Sequence, residues 1–183
     1  MKKIGILALQ GGYDAHAKVI DGLGATPALV RNPEELSGLD GLILPGGEST
    51  TMLKLLNRYE FFPALEQWNK QGKPTFGTCA GLILLARQVL SPEQQSLGWL
   101  DVVVTRNGWG RQLDSFEATD DSDRYPLCFI RAPRIESIGA DIETVVTLNS
   151  EPICVRHQHI YGATFHPELT ESPLLHQEIF GLR

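Results

Sequence analysis

Three short apolar runs near the start of the chain leave little choice of fold. Residues 4–9, 27–30 and 41–44 contain no polar side chain. A strand that is apolar at successive positions buries both faces, as a parallel strand covered by helices does. Between the runs the period changes. Val19, Ile20 and Leu23 recur at helical spacing, and Gly24 marks the stop. Ser49 or Thr50 can cap a helix that continues to about Tyr59. Pro63 suits the first turn of another, ending near Gly72. Strands alternating with helices of this size build βαβ units and a mainly parallel sheet.

The second half reads differently. Residues 101–105, 127–130, 144–148, 153–156 and 160–165 have strand character, with turn residues and little helix between them. Residues 118–126, rich in Asp and Ser, read as a solvated loop, and Pro173 opens a last helix that Gly181 ends. The expected architecture is α/β: a three-layer, flavodoxin-like open sheet, mainly parallel, with antiparallel additions in the second half. A length of 183 residues fits a single domain over 1–183.

Composition removes several classes of function. The chain is 42% hydrophobic and 21% charged, too apolar for disorder. A formal net charge of −6 offers nothing to nucleic acid or an anionic membrane. Trp68, Trp99 and Trp109 do not alternate with basic residues, so base stacking is unsupported. Lys2 and Lys3 precede an apolar run too short for a signal peptide, and no stretch has the length of a membrane span. Three widely spaced cysteines do not form a disulfide framework, which fits a cytoplasmic protein. Cys128 and Cys154 lie in apolar strand patterns and read as core residues. His157 and His159 bracket Gln158, but no Cys or carboxylate cluster supports a metal site. His16 is read as either near an active-site rim or on polar surface.

The chemistry concentrates at Gly77-Thr78-Cys79-Ala80-Gly81. A short strand leads in through residues 73–76, and an apolar, helix-forming run follows over 82–86. This is the cysteine version of the nucleophile elbow, G-x-S-x-G. A thiol just before a helix N-terminus is expected to have a lowered pKa. A buried structural cysteine is the competing reading of these five residues.

Two further segments supply matching parts. His166-Pro167-Glu168 follows the strand at 160–165. Pro167 biases its neighbour toward extended backbone, where residues two apart share a side. Glu168 can then hold one imidazole nitrogen while the other faces Cys79, the base and orienter of a triad. Pro45-Gly46-Gly47-Glu48-Ser49 follows the third run. It lacks the ending of a phosphate loop, and Gly11-Gly12 lacks the dinucleotide fingerprint. The N–H groups of Gly47 and Ala80 are the candidate oxyanion hole, each donor worth about 3–4 kcal/mol in the transition state. A plain glycine turn is the alternative. All three segments follow strands, and open α/β sheets bind ligands at strand carboxyl ends.

These residues resemble the class I (triad) glutamine amidotransferases, and most closely the branch serving as glutaminase subunit of pyridoxal 5′-phosphate synthase. The resemblance runs through Ile4-Gly5-Ile6-Leu7-Ala8-Leu9-Gln10-Gly11, the loop segment from Leu42 to Met52 and the elbow from Phe76 to Ile83. It continues through Arg106-Asn107, Gly110-Arg111-Gln112, Asp114-Ser115-Phe116-Glu117, Phe129-Ile130-Arg131-Ala132-Pro133 and Phe165-His166-Pro167-Glu168-Leu169-Thr170. It implies that Cys79 attacks the side-chain amide of L-glutamine, with His166 as base then acid and Glu168 orienting it. Gly47, Glu48, Ser49, Arg106, Ile130 and Arg131 would bind the substrate. An Arg suits the carboxylate of the amino acid and Glu48 its ammonium; surface ion pairing is the alternative for Arg106 and Arg131.

The same resemblance implies a hetero-oligomer in which ammonia passes to a synthase subunit making pyridoxal 5′-phosphate. Docking would complete the oxyanion hole of a weakly active subunit. No cofactor or metal is implied, since pyridoxal phosphate is the product of the complex. The family often has Glu before the histidine of its first helix, where this chain has Ala15 before His16, and that segment lies near the partner. This sequence stops soon after its last helix begins, which would reduce C-terminal contacts with the partner. Rival readings are a glutaminase serving another synthase, a cysteine peptidase on a similar elbow, and a non-catalytic interaction domain.

Overall fold

The computed structural model describes residues 1–106, 108 and 115–183. Asn107, Trp109 and the resembling residues Gly110, Arg111, Gln112 and Asp114 lie outside the described residues. The first half comprises β1 (Lys3–Leu7), α1 (Tyr13–Gly22), β2 (Thr26–Val30), β3 (Gly41–Leu44), α2 (Ser49–Arg58) and α3 (Phe61–Lys70). The elbow is β4 (Thr75–Thr78) and α4 (Ala80–Leu85). Then come β5 (Ala86–Leu90), β6 (Leu100–Thr105), β7 (Ser115–Thr119), β8 (Pro126–Ile130) and β9 (Arg134–Ile138). The chain closes with β10 (Glu143–Leu148), β11 (Glu151–His157), β12 (Ile160–Ala163) and α5 (Leu174–Phe180).

Seven strands form one sheet in the order β10-β11-β12-β4-β3-β1-β2. The run from β2 to β12 is parallel throughout, and β11 and β10 add to it antiparallel. Its parallel part has the flavodoxin-like order, with a switch point between β1 and β3. The apolar runs explain the layers. Ile4, Ile6, Ile43 and Phe76 pack on one face with Ile20 of α1 and Ile179 and Phe180 of α5. Leu7, Leu42 and Leu44 pack on the other with Met52 of α2, Phe61 and Trp68 of α3, and Leu82 and Leu84 of α4. Full burial of each such side chain contributes about 1.5–3 kcal/mol.

The second half departs from expectation in three places. The strands expected at 101–105 and 127–130 are real but do not join the main sheet. β6 sits between β5 and β9 in a three-stranded sheet, and β8 pairs with β7 alone. Strands β5, β7 and β9 carry no sequence signal strong enough to compete with turn and helix readings; pairing partners decide them. The stretch 118–126 is no solvated loop. Ala118 and Thr119 belong to β7 and Pro126 to β8, and the buried Asp120 pins the hairpin. Its carboxylate accepts the N–H of Ser122 at 3.1 Å, of Arg124 at 2.8 Å and of Tyr125 at 2.7 Å. Cys128 is also corrected: it is half-buried, because a two-stranded ribbon leaves one face uncovered. Cys154 is fully buried as expected. Among the described residues, no helix is long and apolar enough to cross a membrane.

Candidate active site

The elbow places Cys79 where strand becomes helix, at φ 49° and ψ −102°. A side chain held in that region costs about 1–3 kcal/mol and persists only where its surroundings enforce it. The enforcing contacts are visible. The Cys79 N–H donates to the Ala163 carbonyl at 2.8 Å, tying the turn to the end of β12. A Cβ on Gly81 would lie 1.9 Å from the Leu44 carbonyl oxygen, so α4 can close on β3 only with glycine there.

β12 then delivers His166. Its N–H donates to the Cys128 carbonyl at 2.7 Å, which ties the histidine to the β7–β8 ribbon. Its Nδ1 lies 2.7 Å from Glu168 Oε1. The sequence anticipated this pair, but by a different backbone. His166 has φ −111° and ψ 84°, and Pro167–Leu169 form a 3-10 turn rather than an extended segment. The fixed φ of Pro167 opens a tight turn that folds Glu168 back onto the ring. Across from it, Gly46 has no room for a side chain: a Cβ would sit 2.3 Å from His166 Cε1.

Electrostatics separate the two partners. Burial opposes a charge on His166, but hydrogen bonds to Cys79 and Glu168, and their charges, outweigh it and push its pKa up to about 10. Burial likewise opposes ionisation of Glu168, yet the neighbouring His16 and His166 imidazoles hold its carboxyl down to about 2.

A cavity of about 260 Å³ opens onto this pair. Its lining includes Gly47, Glu48, Ser49, Cys79, Arg106, Ile130, Arg131, His166 and Glu168. The structure therefore brings together every site residue expected from sequence except Ala80, which follows Cys79 as the first residue of α4. At the mouth Arg106 Nη2 donates to Glu48 Oε1 at 2.8 Å. Glu48, not Ser49 or Thr50, is the N-cap of α2, and its N–H donates to Gln10 Oε1 at 2.9 Å. The Ser49 hydroxyl donates to Gln94 Oε1 at 2.9 Å.

His16 corrects the sequence reading most sharply. It lies neither on a rim nor on polar surface but is fully buried behind Glu168. Its Nε2 is 3.4 Å from Glu168 Oε2. The signal was available: His16 stands four residues before the buried Ile20 on the inward stripe of α1. Gln10, Gln94 and His176 gave no comparable signal, being a loop residue, another loop residue and one histidine in an apolar helix. Among the described residues no group of His, Cys, Asp and Glu could hold a metal.

Residues 6–180 match the SNO glutamine amidotransferase family. The chain belongs to that family. It is 43% identical over 186 residues to the pyridoxal 5′-phosphate synthase subunit PdxT of Anoxybacillus flavithermus, covering 100% of this chain and 97% of that protein. The subunit of the same name from Geobacillus thermodenitrificans is 46% identical over 173 residues, covering 92% and 89%. A solved structure described as a glutamine amidotransferase superposes with a TM-score of 0.91 at 40% identity, covering 97% of this chain and 98% of that one. A second glutamine amidotransferase, from Thermotoga maritima, shares the fold at a TM-score of 0.61 and 15% identity, over 99% of this chain and 82% of that one.

Proposed function

We propose that this chain is the glutaminase subunit of a pyridoxal 5′-phosphate synthase, a single amidotransferase domain over residues 1–183. The observation that carries the reading is the meeting, in one small cavity, of a cysteine on a strained elbow with an imidazole held by a buried carboxylate. The partner assignment is supported by relatives named as subunits of that synthase over nearly their whole length.

Cys79 Sγ attacks the side-chain amide carbon of L-glutamine. His166 takes the thiol proton as the bond forms and passes it to the departing nitrogen, so ammonia leaves and a glutamyl thioester forms. Water then attacks the thioester, His166 takes its proton, and glutamate departs with the thiol restored. Glu168 keeps the ring oriented and stabilises its cationic form. The oxygen that becomes negative in each step is assigned to the N–H groups of Gly47 and Ala80. The first N–H groups of a helix have no intrahelical acceptor, which suits Ala80 to this role.

Substrate binding uses the charges at the mouth. Arg106 and Glu48 form an ion pair there. A zwitterion offers each a better partner: carboxylate for arginine, ammonium for glutamate. Ser49, Ile130 and Arg131 complete the wall. About 260 Å³ is below the roughly 300–1,000 Å³ of sites for larger ligands, which favours one amino acid over a peptide. Ammonia goes to the synthase subunit; no cofactor is assigned to this chain. Three free cysteines support a cytoplasmic setting.

The test is ammonia release from L-glutamine by the full chain, alone and mixed with a pyridoxal 5′-phosphate synthase subunit. Release should rise on mixing and vanish in Cys79→Ala. Release untouched by that substitution overturns the mechanism, and no response to the synthase overturns the partner.

A further inference from the structure

Glu168 has a second oxygen that the triad does not use. Oε2 is buried and has no hydrogen-bond partner of good geometry; its polar neighbour is His16 Nε2 at 3.4 Å. Behind it, His16 Nδ1 lies 2.9 Å from His176 Nε2. Both rings are fully buried. Thr78 Oγ1, on the last residue before the nucleophile, lies 3.1 Å from the same His16 Nε2. Side chains from α1, β4 and α5 thus converge behind the carboxylate.

Burial lowers the pKa of His16, and it lowers that of His176 to about 3, so both rings are neutral and each carries one N–H. If His16 held its proton on Nδ1, a bare nitrogen lone pair would face the carboxylate. His176 would then carry its own proton on Nδ1, a buried atom with no partner. An orphaned buried N–H is the rarer defect. The opposite tautomers remove both problems. His176 Nε2–H donates to His16 Nδ1, and His16 Nε2–H is donated to Thr78 Oγ1 at 3.1 Å with Glu168 Oε2 3.4 Å away, close enough to share it.

Resting on the glutaminase reading above, we propose that His16 is a positioning residue for the triad: its Nε2–H holds the rear oxygen of Glu168, and His176 fixes the tautomer that makes this donation. A buried carboxylate held at Oε1 alone can turn about its Cγ–Cδ bond. A donor at Oε2 stops that rotation and keeps Oε1 on His166. The orienter is itself oriented, as outer partners of catalytic and metal-binding imidazoles are.

The test uses the full chain with its synthase partner and follows glutamine hydrolysis. His16→Leu removes the donor while filling most of the space; kcat should fall about 10- to 100-fold with little change in KM for glutamine. His16→Gln places an amide N–H near the lost Nε2–H and should recover most of that loss. Nitrogen-15 shifts of labelled histidine in the wild-type chain should show His16 and His176 neutral and protonated on Nε2. This measurement decides the matter even where His16→Leu does not fold. Wild-type kcat in His16→Leu, beside an inactive Cys79→Ala, overturns the inference while leaving the glutaminase intact. So does a proton on Nδ1 of His16. A wild type that releases no ammonia overturns the glutaminase itself, and this inference with it.

Discussion

Glu168 divides two regions built from the same residue type with opposite electrostatics. On the cavity side, its Oε1 meets His166, whose pKa is pushed up to about 10. On the interior side, its Oε2 faces His16 and His176, whose pKa values are lowered. All three imidazoles are buried beside one carboxylate. What differs is the rest of their surroundings. His166 also has Cys79, whose hydrogen bond and charge interaction raise its pKa alongside those of Glu168. His16 and His176 have mainly each other, and one negative charge is already matched. Burial beside a carboxylate that another imidazole already matches leaves a neutral hydrogen-bonding strut; burial between a thiol and a carboxylate makes an acid–base catalyst.

The largest effects should come from breaking the cavity side. His166→Asn should lower glutamine hydrolysis by about 10⁶-fold, and Glu168→Gln by about 10⁴-fold, since it misorients the base without removing it. Equal rates for wild type and Glu168→Gln would take the carboxylate out of the chemistry and dissolve the contrast. Next in size is the mouth. Arg106→Ala takes the arginine from Glu48, whose Oε1 keeps the Thr50 hydroxyl, and removes the proposed carboxylate grip, so KM for glutamine should rise about 10- to 100-fold while kcat changes far less, the equivalent of one charged hydrogen bond. An unchanged KM would make Arg106–Glu48 a surface ion pair only.

The smallest effect, and the most direct test of the opposite signs, is stability against pH. The His166 value in the folded chain lies above its ordinary 6.5, so its stabilisation is complete below pH 6.5 and is lost as pH rises through about 10. The melting temperature advantage of wild type over His166→Asn should therefore shrink between pH 6 and pH 10. The folded value of His176 lies below 6.5, at about 3, so its contribution is complete above pH 6.5 and is lost as pH falls toward 3. His176→Phe should accordingly flatten the acid side of the melting curve. Parallel pH dependence in the two variants would erase the distinction between the regions.

Much of this is legible in the chain's residues alone. The apolar runs at 4–9 and 41–44 name buried parallel strands because a two-sided burial requirement acts on every residue of the strand. The elbow and His-Pro-Glu are legible because steric demands within a few residues select Gly and Pro. β5, β7 and β9 are not, since short exposed strands owe their existence to the partner they pair with. Nor is the Asp120 hairpin, whose buried carboxylate looks in sequence like one more acidic loop residue.

By itself, then, the sequence determined which residues are reactive and which elements carry them, because periodicity, turn chemistry and nucleophile type are local properties. The tertiary structure alone decided which polar groups pair: Arg106 with Glu48, 58 residues apart, and His16 with His176, 160 apart. The sheet order brings these groups within hydrogen-bond distance. A proton's residence depends on what stands within a few ångströms, which no local pattern encodes.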